Sequence, residues 1–271
     1  MDRSNRLRAR PVPHSIRRRQ PGMMARIVAA IALAAAPAAA EPCFEADEPV
    51  EIAAIDGREA LQLTDGRAVR LADIRIAESE KLAARARVVL EEAGPGTLLL
   101  RPVRGAPTDR YGRLQADIVV KDTGASLREQ IVLNGLAFVD PTVISEGCLT
   151  SLFAAERAAE TAGFGLWGRP ESVLDAARAD LTRYTGQYAL VSGTVKSVGE
   201  TKRTLYLNFG ENFRTDFTAI IRRADASGWG SELAALAGES VRIRGVLEAW
   251  NGGLIRVEHP AQIERRDSSG L

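Results

Sequence analysis

Three short runs of alternating apolar and polar positions, at 50–55, 60–63 and 68–74, predict strands. Thr64-Asp65-Gly66-Arg67 between the second and third has the composition of a hairpin turn. From 78 to 93 the period changes: alanine, leucine and valine recur at helical spacing and stop at Gly94-Pro95-Gly96. Strand patterning returns at 97–103 and 114–120, on either side of a polar hairpin, Asp109 to Arg113. Ser126-x-x-Glu129 has the form of a capping box and opens a helix that ends at Asn134-Gly135. A last helix is predicted over 150–162. Five strands with a helix between the third and fourth predict an OB-type barrel with packed helices.

Beyond Gly168-Arg169-Pro170 the pattern restarts. A short amphipathic helix over 172–183 leads into strands at 188–198, 204–209, 217–222, 240–247 and 253–257, with a helix at 231–237. The order β-β-β-α-β-β repeats, so the expected fold is mainly β with helices, an α+β chain of two five-stranded OB-type barrels in series. The expected segments are a leader at 1–40, a first domain at 41–168, a linker helix at 169–184 and a second barrel at 185–266. On that barrel Tyr206, Phe213, Arg222, Arg223 and Trp250 compose a candidate base-stacking and phosphate-binding face. The same aromatics equally suit barrel filling, with Trp250 stapling the Asn251-Gly252 turn. OB barrels also dock proteins, which keeps a protein partner open for this domain.

The first forty residues change the picture of compartment and charge. After Met23 and Met24 come Ala25-Arg26, an apolar run at 27–36 and Pro37-Ala38-Ala39-Ala40 before Glu41. A basic start, a short apolar stretch and an A-x-A site are the parts of a secretory signal peptide, and the stretch is too short to span a bilayer. The expected location is periplasmic or secreted, with no stable membrane insertion once the leader is removed. The whole chain carries a formal charge of +1, and residues 1–40 hold eight arginines against one aspartate, which leaves about −6 on the remainder. A net acidic chain has no global field to draw in nucleic acid, so polyanion binding would depend on a local arginine cluster. Export permits disulfides, and the only two cysteines, Cys43 and Cys148, are expected to pair.

Histidine is nearly absent: only His14 and His259 occur, and His14 lies in the leader. A Ser-His-Asp triad, a Cys-His dyad and a histidine-ligated zinc site are excluded. Any general base must therefore be a carboxylate. Arginine supplies the complementary chemistry, since its planar fork of donors matches a phosphate and stays charged.

Val69-Arg70-Leu71, Ala77-Glu78, Asp109-Arg110-Tyr111-Gly112-Arg113, Gly135-Leu136-Ala137 and Gly165-Leu166-Trp167 occur in this order. In that order they resemble the thermonuclease, or staphylococcal-nuclease-like, family over roughly 52–167. The resemblance implies phosphodiester hydrolysis of DNA or RNA. Arg70 and Arg113 would bind the scissile phosphate, Glu78 would activate or position water, and Tyr111 would contact substrate. It also implies a divalent cation, usually calcium, held by two aspartates. Counting back from Arg70, the first of these positions is Glu59, a residual oxygen ligand; counting forward from Asp56-Gly57 it is Arg58. The second is Arg75, and the proline expected before Glu78 is Ala77. The aromatic pair expected after Gly135-Leu136-Ala137 is replaced by Phe138-Val139-Asp140-Pro141. Calcium binding is expected to be weak, because Glu59 opposed by Arg75 offers no net negative charge. Two functional readings follow. In one, Arg75 takes over part of the metal's charge and contacts the phosphate in a surviving nuclease. In the other, an inactive envelope protein uses both barrels to bind nucleic acid or protein.

Overall fold

The computed structural model describes residues 43–266 apart from 57–59, 94–96, 107, 145, 213, 227–228 and 230–232. The expected leader, Arg58, Glu59 and Phe213 lie outside the described residues. In chain order β1 (Glu48–Val50), β2 (Ile52–Asp56), β3 (Ala60–Leu63), β4 (Ala68–Leu71) and β5 (Ile74–Ile76) precede α1 (Glu80–Ala93). Then follow β6 (Leu98–Pro102), β7 (Leu114–Val120), β8 (Ala125–Ser126), α2 (Leu127–Leu133), β9 (Ala137–Val139) and α3 (Thr150–Ala162). The first sheet has the order β1-β6-β7-β4-β3-β2, with β8 added to β7. β1 and β2 are one run of chain interrupted only at Glu51, so the same stretch holds both ends of that order and the sheet curls.

The run expected as one strand over 68–74 is broken. Asp73 adopts a positive φ of 56°, a conformation that aspartate tolerates better than most residues. The chain turns there, and β5 leaves the first sheet to pair antiparallel with β9. The Asp73 carboxylate secures the turn, its Oδ1 accepting from the backbone of Thr142 and Val143 at 2.8 Å each. Ser126 caps α2 as expected, accepting from the Glu129 N–H at 3.2 Å.

The second sheet comprises β10 (Leu174–Asp175), β11 (Tyr188–Thr194), β12 (Ser197–Glu200), β13 (Thr204–Asn208), β14 (Thr218–Arg222), β15 (Ser240–Glu248), β16 (Leu254–Val257) and β17 (Ile263–Arg265). Its order is β10-β11-β15-β16-β14-β13-β12, with β17 on β15. β11 and β12 are again nearly continuous, and β14 runs parallel to β16 as β4 does to β7. The two halves thus repeat one strand plan, mostly β with a few helices, consistent with OB-like folds.

The linker helix expected at 169–184, over 172–183, does not form. Two 3₁₀ turns, Pro170–Ser172 and Leu181–Tyr184, flank β10, which pairs parallel with β11. Leu174 and Ala176 are both buried, which is strand spacing, and Asp175 accepts from the Ala177 N–H at 2.8 Å. Such a local side-chain bond competes with the helical ladder. Within the region expected as a helix at 231–237, the described part is a 3₁₀ turn, Ala234–Leu236.

Across the restart, the described residues belong to one compact unit, Glu41–Leu271. Tyr188, Leu190 and Ala261 pack in the same apolar cluster as Leu136, Phe138 and Leu152. A second cluster lies around Phe209, Phe217 and Ile243. Cys43 and Cys148 are disulfide-bonded with Cα atoms 5.9 Å apart, tying the segment ahead of β1 to the turn before α3. Among the described residues no helix is long and apolar enough to cross a membrane.

Candidate functional site

Arg70 is the third residue of β4 and only 8% exposed. The parallel register with β7 sets it beside Gln115, to which its Nη1 donates at 3.4 Å. Its Nη2 donates to the Ile74 carbonyl at 3.4 Å and lies 3.8 Å from Asp140 Oδ2. Arg75, in the centre of β5, donates from Nη2 and Nε to that same oxygen at 2.8 and 3.2 Å. The β5–β9 pairing explains the meeting. It opposes Arg75 to Phe138, and one step beyond β9 the Asp140 N–H donates to the Asp73 carbonyl at 2.9 Å. Asp140 is buried, so its charge needs partners in place, and both guanidinium groups supply them.

Glu78 is exposed just ahead of α1. With Arg75, Ser79, Arg169, Tyr184 and Gln187 it lines a groove of about 460 Å³ between the two halves of the unit. Arg169 donates to Ser79 Oγ at 3.1 Å. Arg113 faces a different partner. Its Nε donates to Asp109 Oδ2 at 2.7 Å, while Asp109 Oδ1 accepts from the Tyr111 and Arg113 N–H groups at 2.9 and 3.0 Å. Burial opposes ionisation of Asp109, but the Arg113 guanidinium and the two N–H groups outweigh it and hold the carboxyl below its usual range. Gly112, with φ 75°, closes this turn where a side chain would be strained. Tyr111 at the tip is 66% exposed, with the guanidinium groups of Arg110 and Arg113 4.8 and 5.1 Å from its ring centre.

The structure therefore brings Arg75 and Glu78 to one groove and joins Arg70 to Arg75 through Asp140. It places Arg113 and Tyr111 together on the hairpin, with Asp109. Glu59 is outside the described residues. Asp140 is the residue that sequence reasoning passed over. Its signal was present: an acid stands where the resemblance implies an aromatic, while a base stands at 75 where it implies an acid.

The place of the second aspartate does not fit a divalent cation. Arg75 offers only donors there, and its charge is directed at Asp140. Among the described residues no group of three or more His, Cys, Asp or Glu is arranged to hold a metal ion.

On the second sheet, the candidate phosphate-binding arginines are paired. Arg222 meets Asp225 and Glu258, and Arg223 meets Glu200. Phe209 and Phe217 are buried with ring centres 5.0 Å apart, whereas Trp250 is 41% exposed. His259 caps the last 3₁₀ turn, its Nδ1 accepting from the Ala261 N–H at 3.1 Å.

No curated protein matches the chain. Residues 68–169 match the family model described as Staphylococcal nuclease homologue, and this match supports a thermonuclease-like domain over that segment and a nuclease-family relationship for it.

Proposed function

We propose that the chain is an exported protein with a thermonuclease-like domain at 41–168 and an OB-type barrel at 185–266. In this reading the ancestral phosphate site no longer hydrolyses phosphodiesters, and the first domain binds single-stranded nucleic acid. The observation that carries it is the Asp140 carboxylate, which accepts from Arg75 and lies 3.8 Å from Arg70. Arg70 is buried beside that carboxylate, Arg75 is paired with it and Arg113 with Asp109, and position 75 lacks an acidic cation ligand. The binding face is the hairpin. Tyr111 offers an exposed ring for base stacking and Arg110 a guanidinium for phosphate. The repeated strand order and the disulfide support the two-barrel, exported reading. The OB-type barrel keeps a protein partner as a further role.

A second reading, residual hydrolysis, is favoured by the exposure of Glu78 in the groove shared with Arg75. The test is incubation of the protein starting at Glu41 with single-stranded DNA and RNA, in calcium, magnesium or a chelator. Cleavage no faster than that of Glu78→Gln is expected, together with strand binding that weakens about tenfold in Tyr111→Ala. Metal-dependent cleavage abolished by Glu78→Gln would establish the second reading.

Calcium is expected to bind no tighter than about 1 mM, the weak end of protein calcium sites. Arg75→Asp places a second carboxylate beside Asp140 and is expected to tighten binding at least tenfold. Calorimetry on both proteins decides. Micromolar binding by the unmodified chain, or no gain in the variant, would refute the account of the charge at 75.

A further inference from the structure

A second cavity, of about 420 Å³, lies between α3 and the second sheet, away from the groove that contains Arg75 and Glu78. Its walls include Phe153, Trp229, Leu233, Leu236, Pro260 and Ile263. Its volume falls in the range of roughly 300–1,000 Å³ typical of small-molecule sites.

The charges on its lining follow from two local periodicities. Arg157 follows Phe153 by four residues, so on α3 the two share a face. Arg265 follows Ile263 by two, so on β17 they share a face as well. Each element therefore turns one apolar residue and one arginine toward the cavity, and all four line it. Arg157 and Arg265 are exposed, and neither takes part in an ion pair among the described residues. Among the described residues of the lining the one acid, Glu264, is already engaged by Arg242, Arg244 and Arg266. The described lining is thus mostly apolar, with two positive charges that no described acid opposes.

Trp229 is 8% exposed and its indole Nε1 is itself buried, so the ring serves the cavity as an apolar wall.

We infer that this cavity binds an apolar carboxylate, a small amphipathic anion whose hydrocarbon body packs on Phe153, Leu233 and Leu236 and whose oxygens accept from Arg157 and Arg265. A nucleic-acid strand does not match it, because the walls offer hydrocarbon where a polyanion needs repeated cations. A neutral hydrocarbon leaves both arginines unused. The inference stands apart from the nuclease-like reading of the first domain.

The test is calorimetric titration of the full chain with decanoate, well below its aggregation threshold, and with decanol as the uncharged probe of the same body. Decanoate is expected to bind at least about tenfold more tightly than decanol, as a charge-assisted contact implies. The doubly substituted Arg157→Ala, Arg265→Ala protein alters only exposed side chains. It is expected to lose that difference while its affinity for decanol is unchanged. Absence of binding by either probe, equal affinities for the two, or a decanoate preference that survives the arginine substitutions would overturn the assignment.

Discussion

Glu156→Gln is expected to destabilise the protein by about 3–5 kcal/mol, the usual consequence of leaving one member of a buried ion pair alone. Glu156 on α3 is 2% exposed and Arg244 on β15 is fully buried. Glu156 Oε2 accepts from Arg244 Nη1 at 2.8 Å, and its Oε1 accepts from the Val139 N–H at 2.7 Å. The Val139 carbonyl in turn accepts from Arg244 at 3.0 Å and from the Tyr188 hydroxyl at 2.8 Å. Burial, reinforced by the nearby Asp140 charge, pushes the Tyr188 phenol well above its ordinary pKa, so it stays a donor. Glutamine keeps an acceptor for Val139 but removes the charge opposite Arg244, whose remaining acidic partner among the described residues is Glu264 at 3.2 Å. Adding Arg244→Met should recover most of the loss, because the pair is then removed rather than broken. Urea unfolding of the single and double variants checks this. A single variant within about 1 kcal/mol of the unmodified protein would contradict it, as would a double variant no better than the single.

Reduction of the Cys43–Cys148 bridge, or its replacement by serines, is expected to lower stability by about 4–5 kcal/mol. The bridge spans 105 residues, and releasing a loop of that length restores its closure entropy to the unfolded chain. Folded-state contacts should change less. Arg104 N–H still donates to the Cys43 carbonyl at 3.1 Å, and Glu45 N–H to the Pro102 carbonyl at 2.8 Å. Phe44 keeps its place 5.0 Å from the Arg128 guanidinium. The effect therefore resides mostly in the unfolded ensemble, and the denaturant slope should rise as that ensemble expands. In a domain of this size the melting midpoint should fall by about 10–20 °C. A fall of only a few degrees with an unchanged slope would show that the first sheet holds the N-terminal segment closed without the covalent link.

Local patterning read most of the secondary structure. The strand at 114–120 and the helix at 150–162 occur at the bounds their periodicity predicts, because each is long enough to show its period and is ended by turn residues. β9, β10 and β17 escaped notice because two or three residues cannot display alternation; they exist through the partners they meet. The helix expected over 172–183 failed for the converse reason, since pairing with β11 and the Asp175 side chain outbid a weak helical pattern.

The sequence by itself determined the longer strands and helices, the two cysteines that pair, and the arginines, tyrosine and carboxylates that the nuclease-like motifs pick out. Only the tertiary structure decided how those charges are spent. Arg75 meets Asp140 across 65 residues, and Arg244 meets Glu156 across 88. No periodicity reports such pairs, because a charge carries no label of its partner along the chain. Its state follows from which opposite charge the fold buries beside it and how much water it removes from both.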